Sequence, residues 1–308
     1  MPVFLILLVD SLLFLSAVIF AFHGRVALCL SIVIVTALLI LWQCMLLNKL
    51  KLTDQTIRIE NGIRRPHYVQ AVLHLLIYSY WGLYWDEVVR YAPLMIVQLI
   101  FVYAFEMLLS WSKYRVWRIG FGPLPVVFSI SLFLWFTETF FLFQLGLLML
   151  THIGKECFHW NRDGRNTHIF NPSGFSLAVV SVVLLITGTA TATATELTRA
   201  VDIVGSFHLP PNFFEVLFLL SLVVQVLFRT VLVTMGAMLT SALLFELMTV
   251  VFGAPIADGA ICASVFLGLT FLVTGGSEKV RAVPSLSSAR KNGSQSDKPG
   301  HTPMPVPT

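Results

Sequence analysis

The chain has 308 residues, of which 57% are hydrophobic and only 12% charged, with a mean hydropathy of +0.84. A soluble domain carries about 25% charged residues, so this composition leaves too little polar surface to cover a water-facing globule. The net charge of +4 comes from basic residues scattered through short segments rather than gathered in a stripe, which excludes a nucleic-acid partner.

Apolar runs of about 16–22 residues recur along the chain, the length an α-helix needs to cross the hydrocarbon core. They do not alternate apolar and polar, as the strands of a membrane barrel do. The expected fold is therefore all-α: a polytopic transmembrane helix bundle over residues 1–274, followed by a tail over 275–308. Met1 to Phe22 lacks the basic start of a secretory signal and is followed at once by a second apolar run, so it reads as the first span. The spans expected are 3–22, 26–47, 68–85, 91–111, 120–137, 139–154, 172–188, 212–228, 231–252 and 258–274. From Gly275 onward Ser, Pro, Gly, Lys and Arg dominate, and that cytoplasmic tail is expected to be disordered.

The loops alternate in charge. With the N-terminus inside, the inside connections hold Lys49, Lys51, Arg58, Arg64 and Arg65, then Lys113, Arg115 and Arg118, then Lys155, Arg162 and Arg165, then Arg229. The tail adds Lys279, Arg281, Arg290, Lys291 and Lys298, leaving only Arg25, Arg90 and Arg199 outside. Basic residues in short loops stay on the cytoplasmic side. The split therefore implies a multi-pass protein of ten spans with both termini inside, and the lipid bilayer as first partner. Aromatic residues at span ends, among them Tyr80, Trp81, Tyr84, Trp85, Trp111, Trp117 and Trp160, read as headgroup anchors.

A charge within lipid is costly, which makes intramembrane acids functional candidates. Glu106 lies about 7 Å inside the cytoplasmic end of its span, Glu246 about 9 Å inside the outer end of its own, and Asp10 about 10 Å into the first, at 1.5 Å per residue. Each also reads as a hydrogen-bonded contact between helices, as do Gln98, Gln144 and Gln225. His152, Glu156 and His159 share a helix face, but a di-iron site needs a second Glu-x-x-His and further carboxylates, so no metal is expected. Lys155 in this group reads as a contact to anionic lipid. His67 and His74 read as core or interface histidines. Cys29, Cys44, Cys157 and Cys262 lie far apart and form no Cys-x-x-Cys. There is no Walker motif and no nucleophile elbow, so catalysis on a soluble substrate is not expected.

The most informative stretch is His168-Ile169-Phe170-Asn171-Pro172-Ser173-Gly174-Phe175. Asn171 suits a helix N-cap, Pro172 the first helical position, and Phe170 with Phe175 the hydrophobic staple. A helix start presents free N–H groups and partial positive charge, so His168, Asn171, Pro172 and Ser173, with Glu106, make a candidate transport or anion site. The same residues also read as an ordinary capped span.

This run, the small-residue span after it and the final Phe266-Leu-Gly-Leu-Thr-Phe-Leu-Val-Thr274 resemble the RnfD/NqrB family, membrane subunits of ion-translocating electron-transport complexes. Arg65-Pro66-His67-Tyr68-Val69-Gln70, Leu109-Ser110-Trp111-Ser112 and Gly120-Phe121-Gly122-Pro123 resemble stand-alone bacterial relatives more closely, and the resemblance covers residues 60–274. It implies a bundle related to urea-transporter-like folds, electron-transport-coupled or related transmembrane transport, and redox subunits or further copies of the chain as partners. Electron-transport members carry flavin on the threonine of a Ser-Gly-Ala-Thr motif. Here the comparable loop reads Thr187-Gly188-Thr189-Ala190-Thr191, so the attachment motif is absent. Relatives continue past the last-span threonine with Asp-Pro and further spans, whereas Thr274 is followed by Gly275-Gly276-Ser277; the resemblance implies a shortened or frame-altered chain. The alternative function is a cofactor-free channel or carrier for a small solute in the same fold.

Overall fold

The computed structural model describes residues 2–53, 58–62, 65–162, 165–168, 171–189, 196–228 and 231. The described residues are mostly helical. The expected ninth and tenth spans, Glu246, Cys262 and the tail over 275–308 lie outside the described residues.

Helices α1 (Pro2–Phe22) and α2 (Val26–Thr53) form an antiparallel hairpin. Its turn needs a left-handed residue, supplied by Gly24 at φ 72°. The Arg25 N–H then reaches back to the Phe20 carbonyl at 2.9 Å, closing the helix end. Helix α3 (Arg65–Gly82) starts and stops three residues ahead of expectation, because Trp85 serves as the N-cap of α4 (Asp86–Tyr114). Among the described residues two helical stretches are long and apolar enough to cross a membrane, Val26–Lys49 and Asp86–Tyr114.

α4 is the axis of the bundle. It touches α1, α2, α3, α5 (Pro123–Ser131) and α6 (Phe141–Cys157), and it buries Gln98, Phe101, Val102 and Leu108. Helix α7 (Pro172–Ile186) packs on α5 and α6, and α9 (Phe213–Phe228) on α3. Outward-facing positions are apolar: Phe14, Leu30, Ile96, Val183 and Val226 are all more than half exposed.

The fifth expected span is corrected. Residues 120–137 do not form one helix, because α5 has only nine residues and rises about 13 Å. The chain makes one turn at Leu132 and Phe133 and then leaves the helix before a 3-10 turn at Glu138–Phe140. Also unanticipated are the short helix α8 (Ala200–Ser206) and two small sheets in the connections. β1 (Arg58–Asn61) pairs in parallel with β2 (Val116–Ile119), and β3 (His159–Arg162) forms a hairpin with β4 (Arg165–His168). Gly120 permits the close approach beside the first sheet, since a Cβ there would meet the Gly62 carbonyl at 2.8 Å.

Contacts between connections fall into two sets. One end of the bundle holds the β1–β2 pair and the ion pairs of Lys113 and Arg118 with Glu156. The other holds the pairs Arg25–Glu138 and Arg199–Glu87 and the hydrogen bond from Tyr80 to the Pro211 carbonyl. Several boundary aromatics are core residues rather than headgroup anchors. Trp81 and Trp117 are fully buried and Trp111 is nearly so, whereas Tyr84 is exposed.

Candidate functional site

The first part of the site lies at the basic end. Glu106 of α4 forms an ion pair with Lys155 of α6, and both side chains are largely shielded, at 13% and 22% exposure. Lys155 is thus engaged within the protein, which corrects its assignment to lipid. In a dry setting a charge pair holds only when both partners stay in place, because either one alone is an uncompensated buried ion. The start of α5 reaches this pair: a Cβ on its N-cap Gly122 would lie 4.0 Å from Lys155 Nζ and 3.9 Å from His67 Nδ1. Tyr103, one turn before Glu106, donates to the Gly120 carbonyl at 2.9 Å.

His152 and Glu156 sit on the buried side of α6. His152 Nδ1 donates to the Leu148 carbonyl at 2.9 Å, and its Nε2 has no partner among the described residues. Glu156 faces Lys113 at 3.8 Å and Arg118 at 4.0 Å. No group of three metal-ligating side chains occurs among the described residues. His74 is held as a core histidine, its Nδ1 donating to the Gln70 carbonyl at 2.8 Å and its Nε2 within 3.2 Å of the Ser129 hydroxyl.

The start of α7 adjoins the same face of α6. Asn171 is at the N-cap in extended conformation, with Pro172 at the first helical position, as expected. Its side chain, however, makes no cap bond to a backbone N–H; its Oδ1 accepts from the Ser173 hydroxyl at 2.9 Å. Phe170 of the expected staple is outside the described residues. Its partner Phe175 instead lies over Gly154 and beside the Phe158 ring, 5.3 Å between centroids. One turn along, the Ser176 hydroxyl donates to the Ser173 carbonyl at 3.1 Å and meets the Thr151 hydroxyl at 2.6 Å. Small and hydroxylated residues let these helices approach closely, as lipid-embedded helices do. The backbone of His168 closes the β3–β4 hairpin opposite His159. The fold thus joins Glu106 with Lys155, and the α7 start with α6.

The second part was not anticipated. Beyond α5 two helix-type bonds remain, from Leu132 N–H to the Phe128 carbonyl at 3.1 Å and from Leu134 N–H to the Ile130 carbonyl at 3.0 Å, and the chain is unwound from there through Trp135 and Phe136, both buried. Backbone without helical partners must be satisfied by other means. The Phe136 N–H donates to Gln144 Oε1 at 3.1 Å. The Trp135 carbonyl accepts from Arg199 N–H at 2.8 Å, and Thr137 N–H donates to the Leu197 carbonyl at 3.1 Å. Gln144 Nε2 points at Gln98 Oε1, 3.5 Å away; Gln98 in turn donates to the Tyr91 hydroxyl at 2.9 Å. Gln98 and Gln144 therefore are interhelical partners, as expected, and Gln144 also holds the unwound chain. Trp135 is stacked between Trp85 and Tyr91, at 5.2 and 4.2 Å between centroids.

In the loop expected to compare with the flavin attachment, Thr187 donates to the Val183 carbonyl at 2.8 Å, and its hydroxyl lies 2.7 Å from that of Thr189. Both hydroxyls serve the end of α7. Comparison with models of known protein families, with curated proteins and with solved structures returned no match.

Proposed function

We propose that the chain is a ten-span protein of the bacterial cytoplasmic membrane, with both ends inside, that acts in transmembrane transport as an RnfD/NqrB-like protein. The observation that carries this reading is the interrupted fifth crossing. Non-helical backbone at membrane depth is tolerated only where it is buried in protein or lines a cavity, and transporters build their sites from such broken helices. Here the helical half of the crossing starts beside the Glu106–Lys155 pair, and the unwound half is held by Gln144. The sorting of loop contacts into two ends agrees with the side assigned to each loop by charge. The path would run past Glu106, Lys155 and the α7 start at Asn171, Pro172 and Ser173.

A cofactor-free carrier is the second reading. It is favoured by the comparable loop, Thr187-Gly188-Thr189-Ala190-Thr191, which lacks the Ser-Gly-Ala-Thr attachment motif. The test uses the purified full chain. Its intact mass and absorption spectrum separate the redox from the cofactor-free version. Proteoliposomes then report urea entry by light scattering, and proton and sodium entry by entrapped dyes. Flux in the wild type that falls severalfold in Glu106→Gln supports transport; equal, background flux in both removes it.

A further inference from the structure

The basic end of the bundle carries two exposed arginines that the candidate site does not use. Arg115 is the C-cap of α4 and stands in the left-handed conformation, at φ 59°. Glycine is the usual occupant of such a position, because a Cβ there crowds the following carbonyl. Asn212 is the other non-glycine residue with positive φ among the described residues, and asparagine tolerates that region. Arginine has no such excuse, and strain of this kind clusters where a side chain serves a site. Arg58 opens β1, and its Cα is paired with that of Val116, the residue after Arg115. The Cα atoms of Arg58 and Arg115 therefore lie within about 9 Å of each other. Both side chains are exposed, and neither has an acid partner among the described residues. Their basic neighbours are engaged. Lys113 and Arg118 face Glu156, Arg118 also faces Glu60 at 3.6 Å, and both cations lie over the Tyr114 ring.

Glu60, Glu106 and Glu156 are each already paired at this end. Like charges held on neighbouring strands repel, and an anion between them removes the repulsion. The place is the last turn of a 29-residue helix long and apolar enough to cross a membrane, the level at which the phosphates of a leaflet lie. We propose that Arg58 and Arg115 form a binding site for the phosphate of an anionic phospholipid. Each guanidinium offers paired N–H groups that match two phosphate oxygens. Ile59 and Tyr114, adjacent in the chain and exposed, supply apolar surface for the glycerol and upper acyl carbons. A lipid is the occupant rather than a soluble phosphate, because its acyl chains hold the headgroup beside the end of α4. The proposal rests on the membrane reading of α4 and is independent of transport and of flavin.

The test places the full chain in nanodiscs of phosphatidylcholine and phosphatidylglycerol, then counts by mass spectrometry the lipid that stays with the protein in mild detergent. Expected is about one phosphatidylglycerol retained per chain in preference to phosphatidylcholine, and retention at least about fivefold weaker in Arg58→Gln and in Arg115→Gly, the worth of one basic residue at a membrane surface. Arg115→Gly relieves the backbone, so it should unfold no more readily than the wild type, which separates lost lipid from lost fold. Arg65→Gln removes the same charge from the start of α3, beyond the far end of β1, and should retain lipid as the wild type does. An equal loss in Arg65→Gln, no preference for phosphatidylglycerol, or displacement of the lipid by millimolar glycerol phosphate overturns the proposal. A chain that does not enter nanodiscs at all refutes the membrane reading, and this site with it.

Discussion

Replacing Gln144 with Leu isolates the group that holds the unwound crossing. The side chain is fully buried and accepts the Phe136 N–H at 3.1 Å. Leucine matches its bulk but offers no acceptor, so a buried backbone donor is left without a partner. Orphaning such a group costs about 1–3 kcal/mol, and about 2 kcal/mol corresponds to a roughly thirtyfold fall in the folded fraction ratio. The bond to Gln98 is long, at 3.5 Å, and adds little. Gln98→Leu is the matched comparison: it removes the bond to Tyr91 within α4 and the long contacts from Ser131 and Gln144, and it leaves the backbone satisfied, so about 1 kcal/mol is expected, the net worth of an ordinary hydrogen bond. Reversible unfolding in mixed micelles, followed by far-ultraviolet circular dichroism of the helices, measures both. If Gln144→Leu costs no more than Gln98→Leu, Gln144 does not support the break in the crossing and the reasoning fails.

Three further outcomes follow from the same geometry. Gly154→Ala places a Cβ 2.7 Å from the Phe175 ring, and the same unfolding assay should show a loss of about 1–3 kcal/mol that Phe175→Leu partly restores in the double variant. For the Glu106–Lys155 pair, Glu106→Gln and Lys155→Met alone should each destabilise more than the double variant does, since each single change strands a shielded charge; additivity in a double-mutant cycle would contradict the pairing. Single cysteines at Lys49 and Lys113 should react with a membrane-impermeant maleimide from the same face of sealed vesicles, and a cysteine at Arg90 from the other. Labelling of Lys49 and Lys113 from opposite faces would remove the ten-span arrangement.

The helical starts were legible because their signals are local. Pro172 and Asn171 announce α7, and the uninterrupted apolar runs announce α1, α2 and most of α4. The interruption after α5 was not legible. Ser131-Leu-Phe-Leu-Trp-Phe-Thr137 contains neither Gly nor Pro and is apolar enough to continue a helix. It stops because its polar groups find partners elsewhere, on Gln144 and on the segment Leu197–Arg199, contacts that no local pattern encodes. Lys155 was misassigned for a related reason. Its acid lies 49 residues away on another helix, and only packing brings the two together. The Asn171 position was read correctly, but the bond its side chain makes depends on Ser173 rather than on a free N–H.

The three arginines that break the charge rule are each matched by an acid: Arg25 by Glu138, Arg90 by Glu87, and Arg199 by Glu87 and Asp202. The match for Arg25 comes 113 residues later. During synthesis in the proposed orientation, the first hairpin must therefore be translocated with a bare guanidinium at its tip, against the membrane potential. Its neutralising carboxylate emerges only after the three helices α3, α4 and α5 have been made. Membrane insertion of a chain stopped before Glu138 should thus depend on the membrane voltage more steeply than insertion of the longer chain, and neutralising Arg25 should abolish that difference.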